Sequence, residues 1–312
     1  MFDGNPYSLS IAGGFARDIC VEVCREADLA IAIGASLSSH TLYHGSLFPQ
    51  AHVVQIDTHP VGYNHGTMVA DEYLRGDAAK TVVALDESLA ARGHSAPGIR
   101  TPALARRIEE EPADAMDFAI SPGTLDPREV TADLDRLMPA DWDMICGSGH
   151  SSSFHAQMRR RAPGRYHAVR EYGAIGNGIS LAMGVKAAKP TSQVVLFDGD
   201  GSLLMNVQEL ETIRRHGMKI LICIYNDGAF GSEIHVLRSE GVEDGEAVFG
   251  RGDFGAVARG FGLRGRVITE REQLAEALEE FVAGDTAMVW DIHVSDLVVA
   301  PNVRRNHPPP RA

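Results

Sequence analysis

With 312 residues, 44% of them hydrophobic, the chain can bury the cores of two ordinary domains. Its formal charge of −13, from 29 basic and 42 acidic side chains, argues against nucleic acid or an anionic membrane as a main partner. No run approaches the roughly 18 apolar residues of a membrane helix, and the first residues do not read as a signal peptide. The four cysteines, Cys20, Cys24, Cys146 and Cys223, read as reduced and buried, the pattern of a cytoplasmic protein. Cys20 and Cys24 fall one helical turn apart, but no second pair completes a metal site.

In chain order, residues 1–90 form a first α/β block. Ala27–Gly34 reads as a buried parallel strand closing on glycine, and His52–Asp57 as a second one ending in an acid. Residues 91–124 read as a Pro- and Gly-rich linker with one short charged helix near Pro102–Glu111. Residues 125–300 form the second block. It opens with a helix after Pro127, a strand near Trp142–Cys146 and a glycine turn at Gly147–His150. A strand near Tyr166–Arg170, a helix from about Ile179 and a last strand at Ala287–Val294 are also expected. Residues 301–312 read as a flexible, Pro- and Arg-rich tail. The fold class expected is α/β, with two three-layer parallel-sheet domains.

The most informative stretch lies inside the second block. Gln193–Phe197 and Lys219–Tyr225 are short apolar runs of strand type. Between them, Asn206 and Glu209 have the spacing of a capping box, and Gly217 marks a helix stop. Strand, helix and strand make a right-handed crossover. That places Asp200 and Asn226 beyond the carboxyl ends of two parallel strands, where open α/β sheets bind ligands. A carboxylate, an amide and backbone carbonyls are hard oxygen donors suited to Mg²⁺, which in turn holds phosphate oxygens.

Two other readings compete for these residues. Phe197–Leu203 also resembles the first motif of haloacid-dehalogenase-like phosphatases, with Asp198 as nucleophile and Asp200 as acid/base. That chemistry needs a downstream lysine and an acidic pair, and after Asp200 the only lysine is Lys219, at the start of a strand. The blander reading is a glycine turn with a chance aspartate.

The order Gly199-Asp200-Gly201-Ser202, then Asn226-Asp227-Gly228, resembles the diphosphate-binding motif of thiamine diphosphate enzymes. The family often has a second Asn where this chain has Asp227. Upstream, Gly173 and Ile175 match the family's glycine carbonyl for the pyrimidine amino group and its aliphatic wedge between the two cofactor rings. Gly147-Ser148-Gly149-His150 aligns with a family loop that contacts diphosphate, so Gly149 and His150 join the cofactor-binding candidates. The resemblance is to the acetolactate synthase group. It implies thiamine diphosphate and Mg²⁺, with Asp200, Asn226 and the Gly228 carbonyl as metal ligands, and Gly199, Gly201 and Ser202 around the diphosphate. Glu233 and His235 follow the metal turn, where the family carries substrate-side residues. Gly34, Ala35 and Asp57 are where a flavin (FAD), bound by some family members, would touch.

Family members are about twice as long and begin with a pyrimidine-binding domain that supplies a catalytic glutamate. Nothing here resembles that domain, and the first block resembles only the second half of the family's central domain. The expectation is a split enzyme: this chain as the diphosphate-binding subunit of a 2-oxo acid decarboxylase or carboligase, working as an α2β2 hetero-oligomer. The second subunit would carry the pyrimidine domain. A non-catalytic half of such a complex is the alternative.

Overall fold

The structure, a computed structural model, describes residues 4–39, 41–59, 63–64, 67–96, 98–169 and 171–307. It divides into two compact units, Gly4–Ala115 and the chain from Met116 onward. Both are α/β with parallel sheets. Among the described residues no helix is long and apolar enough to cross a membrane.

The first unit contains α1 (Asp18–Glu26), β1 (Leu29–Ile33), β2 (His52–Asp57), β3 (Tyr63–Asn64), β4 (Thr67–Met68), β5 (Glu72–Arg75), α2 (Ala78–Ala91) and α3 (Pro102–Glu110). Its main sheet is parallel in the order β1-β2-β5, with Leu29 paired to His52 and Val54 to Glu72. Ala30 and Ala32 pack on Leu37, Leu42, Val53 and Val69. The expectation of a strand buried on both faces needs correction for β1. Leu29, Ile31 and Ile33, on its other face, are 52%, 41% and 45% exposed. Asp77 caps α2, its side chain accepting from the Lys80 amide at 3.0 Å. Gly34 takes φ +62° and donates its amide to Ile56 O. Ala35 O accepts from Gln55 Nε2 at 2.9 Å, and Asp57 Oδ1 from the His59 amide. The charged helix of the expected linker is α3, capped by Thr101. Arg17 fastens it, donating to Ile108 O at 2.7 Å and Glu111 O at 2.6 Å. Cys20 and Cys24 are not joined by a disulfide, and their sulfurs lie 4.0 Å apart.

The second unit runs α4 (Pro127–Leu137), β6 (Asp143–Cys146), α5 (Ser151–His155), β7 (Tyr166–Ala168), α6 (Asn177–Ala188), β8 (Val194–Gly199), α7 (Asp200–Met205), α8 (Glu209–Arg215), β9 (Ile220–Asn226), α9 (Gly231–Ser239), α10 (Phe254–Gly260), β10 (Arg264–Ile268), α11 (Gln273–Ala283), β11 (Met288–His293) and α12 (Pro301–Asn306). Of the strand expected near Tyr166–Arg170, Arg170 lies outside the described residues. The six strands are all parallel, ordered β10-β11-β9-β8-β6-β7.

Side-chain alternation builds two cores. Val195, Phe197, Leu221, Cys223 and Trp290 face α4 and α11 on one side. Leu196, Ile220, Ile222 and Val289 face α6, α8 and α10 on the other. Every residue of β9 is buried, the mark of a central parallel strand.

Two expectations give way here. The helix between β8 and β9 is split into α7 and α8, and Asn206 caps neither start. Its Nδ2 instead donates to Gly176 O at 2.8 Å, across to another turn. The start of the expected tail is the helix α12, whose Pro301 and Val303 are buried; residues 308–312 lie outside the described residues.

Candidate functional site

The carboxyl ends of β6, β8, β9 and β11 open into one cleft, lined among others by His150, Ile175, Asp200, Asp227, Phe230 and Glu233. This is the ligand edge of an open parallel sheet.

Asp200 is the first residue of α7 and is 2% exposed. Its Oδ1 accepts from the Gly201 amide at 2.7 Å and its Oδ2 from the Gly228 amide at 2.8 Å. Burial, then the charge of Asp227, pushes its carboxyl up to about 8. Burial likewise lifts Asp227 to about 7. A bound cation would relieve both.

Asn226 ends β9 and is fully buried. Its Nδ2 donates to Asp291 Oδ1 at 2.8 Å and to Gly252 O at 3.1 Å. Two acceptors on one nitrogen fix which way the amide points. Its Oδ1 is buried with no hydrogen-bond partner. Gly199 pairs with Tyr225 across β8 and β9, so Asp200 and Asn226 leave the sheet at neighbouring positions, and an orphaned buried amide oxygen there fits a hard divalent cation such as Mg²⁺. Asp291 is held in turn, its Oδ2 accepting from the Phe254 amide at 2.8 Å.

Gly228, expected to offer its carbonyl, takes φ +78° in the turn. Its oxygen accepts from the amides of Phe249 at 3.0 Å and Gly250 at 2.8 Å. Both lone pairs are used, so in this arrangement the carbonyl is not a free ligand.

The upstream turn is tied to the same place. Gly173 and Gly176 have φ +65° and +93°. The Gly176 amide donates to Ser202 Oγ at 2.8 Å. Ser202 Oγ therefore anchors the Ile175–Gly176 turn as an acceptor, which leaves its O–H free to donate. Gly149, at φ +91°, lies against Ile175: a Cβ there would meet Ile175 Cγ2 at 3.4 Å. Gly201 gives room to the Phe230 ring, 2.8 Å from where its Cβ would be.

His150 is buried and pushed down to about 3 by that burial, so it is neutral near pH 7. Its Nε2 accepts from the Ala300 amide at 3.0 Å, and its Nδ1 lies 3.8 Å from Asp227 Oδ2. Of the two substrate-side candidates, Glu233 is exposed in the cleft wall. His235 is 3% exposed, its ring 4.6 Å from that of His150 and its Nε2 without a partner.

Asp198, the nucleophile of the phosphatase reading, is 1% exposed and does not line the cleft. Its carboxyl sits where side chains on Gly147 and Gly178 would be, 2.2 and 2.3 Å from their Cβ positions. The two glycines thus leave the space that the Asp198 carboxyl fills, and Asp198 does not line the cleft with Asp200.

Three positions around the cleft go beyond the sequence reading. Asp227, in place of the family's second Asn, lies close enough to raise the Asp200 carboxyl. Asp291 carries a signal, an acid in an otherwise apolar strand, and orients Asn226. Asn206 has cap spacing but bonds to Gly176.

The cleft at the carboxyl edge of the parallel sheet, lined by Asp200, the glycine turns and Ile175, has the arrangement of a thiamine diphosphate-binding domain. Residues 147–292, which lie within the second unit, match the family described as "Thiamine pyrophosphate enzyme, C-terminal TPP binding domain". The similarity runs further, to acetolactate synthases. Over 86% of its length the chain is 31% identical to the acetolactate synthase large subunit of Parasynechococcus marenigrum, of which it covers 44%. It is 26% identical over 94% of its length to the acetolactate synthase isozyme 2 large subunit of Escherichia coli, covering 52% of that protein. The same identity and shares hold for the acetolactate synthase of Arthrospira platensis. The chain is thus acetolactate synthase-like, and it spans about half the length of the curated relatives it matches.

Proposed function

We propose that this chain is the diphosphate-binding part of a thiamine diphosphate-dependent 2-oxo acid decarboxylase or carboligase. The observation that carries the reading is Asn226: its amide is clamped by Asp291 and Gly252 so that a buried oxygen is left for a cation beside Asp200. Asp200 and Asn226 would hold Mg²⁺. The Gly228 carbonyl would join only if the Phe249 or Gly250 amide lets go.

Thiamine diphosphate, when bound, supplies the carbanion chemistry that cleaves a 2-oxo acid and joins its acyl unit to a second carbonyl. This chain's residues bind and orient. Ile175 would set the angle between the two rings of the cofactor. The Gly173 carbonyl would receive the pyrimidine amino group. Phe230 and the buried imidazoles would exclude water from that side, and Glu233 would face the substrate.

A second polypeptide with the pyrimidine-binding domain and its glutamate would complete the site, giving a hetero-oligomer of α2β2 type in the cytoplasm. Size exclusion combined with a pyruvate-consumption assay tests it. The chain alone, with Mg²⁺ and thiamine diphosphate, should be inactive and regain turnover with the partner. A stable, fully active homo-oligomer of this chain would refute the split.

A further inference from the structure

The ring of His150 is held from two sides. On one, Nε2 accepts from the buried amide of Ala300 at 3.0 Å. A backbone N–H can only donate, so this nitrogen must carry a lone pair, and the proton of the neutral ring must sit on Nδ1. On the other side, Nδ1 points to Asp227 Oδ2, 3.8 Å away. Gly231 keeps that line open: a Cβ there would come within 2.4 Å of Asp227 Oδ2 and 2.9 Å of His150 Nδ1. The ring faces are taken by Phe154, edge-on at 5.1 Å, and by His235 at 4.6 Å. A protonated ring would set an Nε2–H against the Ala300 N–H, donor to donor.

The Ala300 segment is itself firmly seated. Val298 and Ala300 are fully buried in a cluster with Phe154 and Phe118. Ala300 then leads into α12, at φ −64° and ψ 148°. A stretch remote in sequence from the glycine turns thus contacts His150, a residue of the cleft wall.

We propose that the backbone amide of Ala300 is a positioning group for the cofactor cleft, holding His150 in its Nδ1–H tautomer so that one neutral N–H is presented toward Asp227 and the ligand space. Only that nitrogen is then open to a ligand oxygen; the other is committed to the backbone. The link to cofactor binding rests on the function proposed above, whereas the tautomer does not.

The test uses the full chain with ¹⁵N-labelled histidine and long-range ¹H–¹⁵N correlation spectra, which report the proton position in each ring. The His150 signals are those lost in His150→Gln. In the unaltered chain they should show an unprotonated Nε2 and a protonated Nδ1. Ala300→Pro deletes the single N–H while its ring suits the existing φ of −64°. In that variant the Nε2–H form should appear, and affinity for thiamine diphosphate with Mg²⁺ should fall about tenfold, the usual scale for loss of an outer-shell partner. An Nε2–H tautomer in the unaltered chain overturns the proposal, whether or not the variant folds. So does an unchanged tautomer in Ala300→Pro. The expected tautomer in a chain that binds no thiamine diphosphate would leave this positioning role standing and defeat the proposed function instead.

Discussion

Asp200 Oδ2 accepts a hydrogen bond from the Gly228 amide at 2.8 Å, joining the turn after β8 to the turn after β9. One carboxyl therefore aligns both halves of the diphosphate motif before any ligand arrives. Its second oxygen is pinned by the Gly201 amide at 2.7 Å, so the group cannot swing away from the cleft.

Asp291 never reaches the cleft, yet it sets the direction of the Asn226 amide. Asp291→Asn places an NH₂ where Asn226 now finds a carboxylate, which favours a flipped amide with its nitrogen toward the cation. Mn²⁺ affinity, read by electron paramagnetic resonance, should drop about 10–100-fold. Unchanged affinity would show that Asn226 Oδ1 is not a ligand.

The acid–base balance of the cleft gives a pH signature. Asp200 and Asp227 have carboxyls raised to about 8 and about 7, against an ordinary 3.8. Raised groups stabilise the fold most below their unfolded value, and that contribution is lost as pH climbs through the folded value. His150 and His235, lowered to about 3 from 6.5, act oppositely: their contribution is present above 6.5 and lost as pH falls. Between pH 6.5 and about 8 only the carboxyls of these four groups change their contribution. Without divalent cations the melting temperature should therefore fall across this window, and Mg²⁺ should raise it more at pH 8 than at pH 6.5. A Mg²⁺ effect independent of pH would separate the cation from these carboxyls.

Gly231 begins α9 with no spare volume: an added Cβ would lie 2.4 Å from Asp227 Oδ2 and 2.9 Å from His150 Nδ1. Gly231→Ala should cost about 1–3 kcal/mol in denaturant unfolding, the scale of overpacking, and weaken thiamine diphosphate binding. Full stability with full binding would mean the Asp227–His150 face yields easily.

Ser202 Oγ meets the Gly176 amide, which would be left unmatched in Ser202→Ala. The expected loss is about 1–3 kcal/mol of stability. Affinity for inorganic diphosphate with Mg²⁺ should stay nearly unchanged, since the hydroxyl's partner is the Ile175–Gly176 turn. A selective loss of diphosphate affinity would show that Ser202 also contacts the diphosphate directly.

Much of this was legible in the sequence, because strand period and glycine turns are local signals. The runs at Gln193–Phe197 and Lys219–Tyr225 became β8 and β9, and the Asp200 and Asn226 positions at their ends followed from parallel topology. What stayed hidden depends on contacts between distant segments. Asn206 has cap chemistry by local pattern, but a carbonyl at Gly176 outcompetes its own backbone. The Ala300 amide carries no side-chain signal at all, and its role comes only from the packing of Val298 and Phe154. The apolar run of β1 suggested burial on both faces, yet residue type alone does not say whether a neighbour covers each face.

The central claim is that Asp200 and Asn226 anchor thiamine diphosphate through Mg²⁺. Calorimetric titration of thiamine diphosphate into the full chain, with Mg²⁺ and with chelator, measures it most directly. Saturable, Mg²⁺-dependent binding that is lost in Asp200→Asn is expected. Binding that survives chelation, or persists at equal affinity in Asp200→Asn, would contradict it.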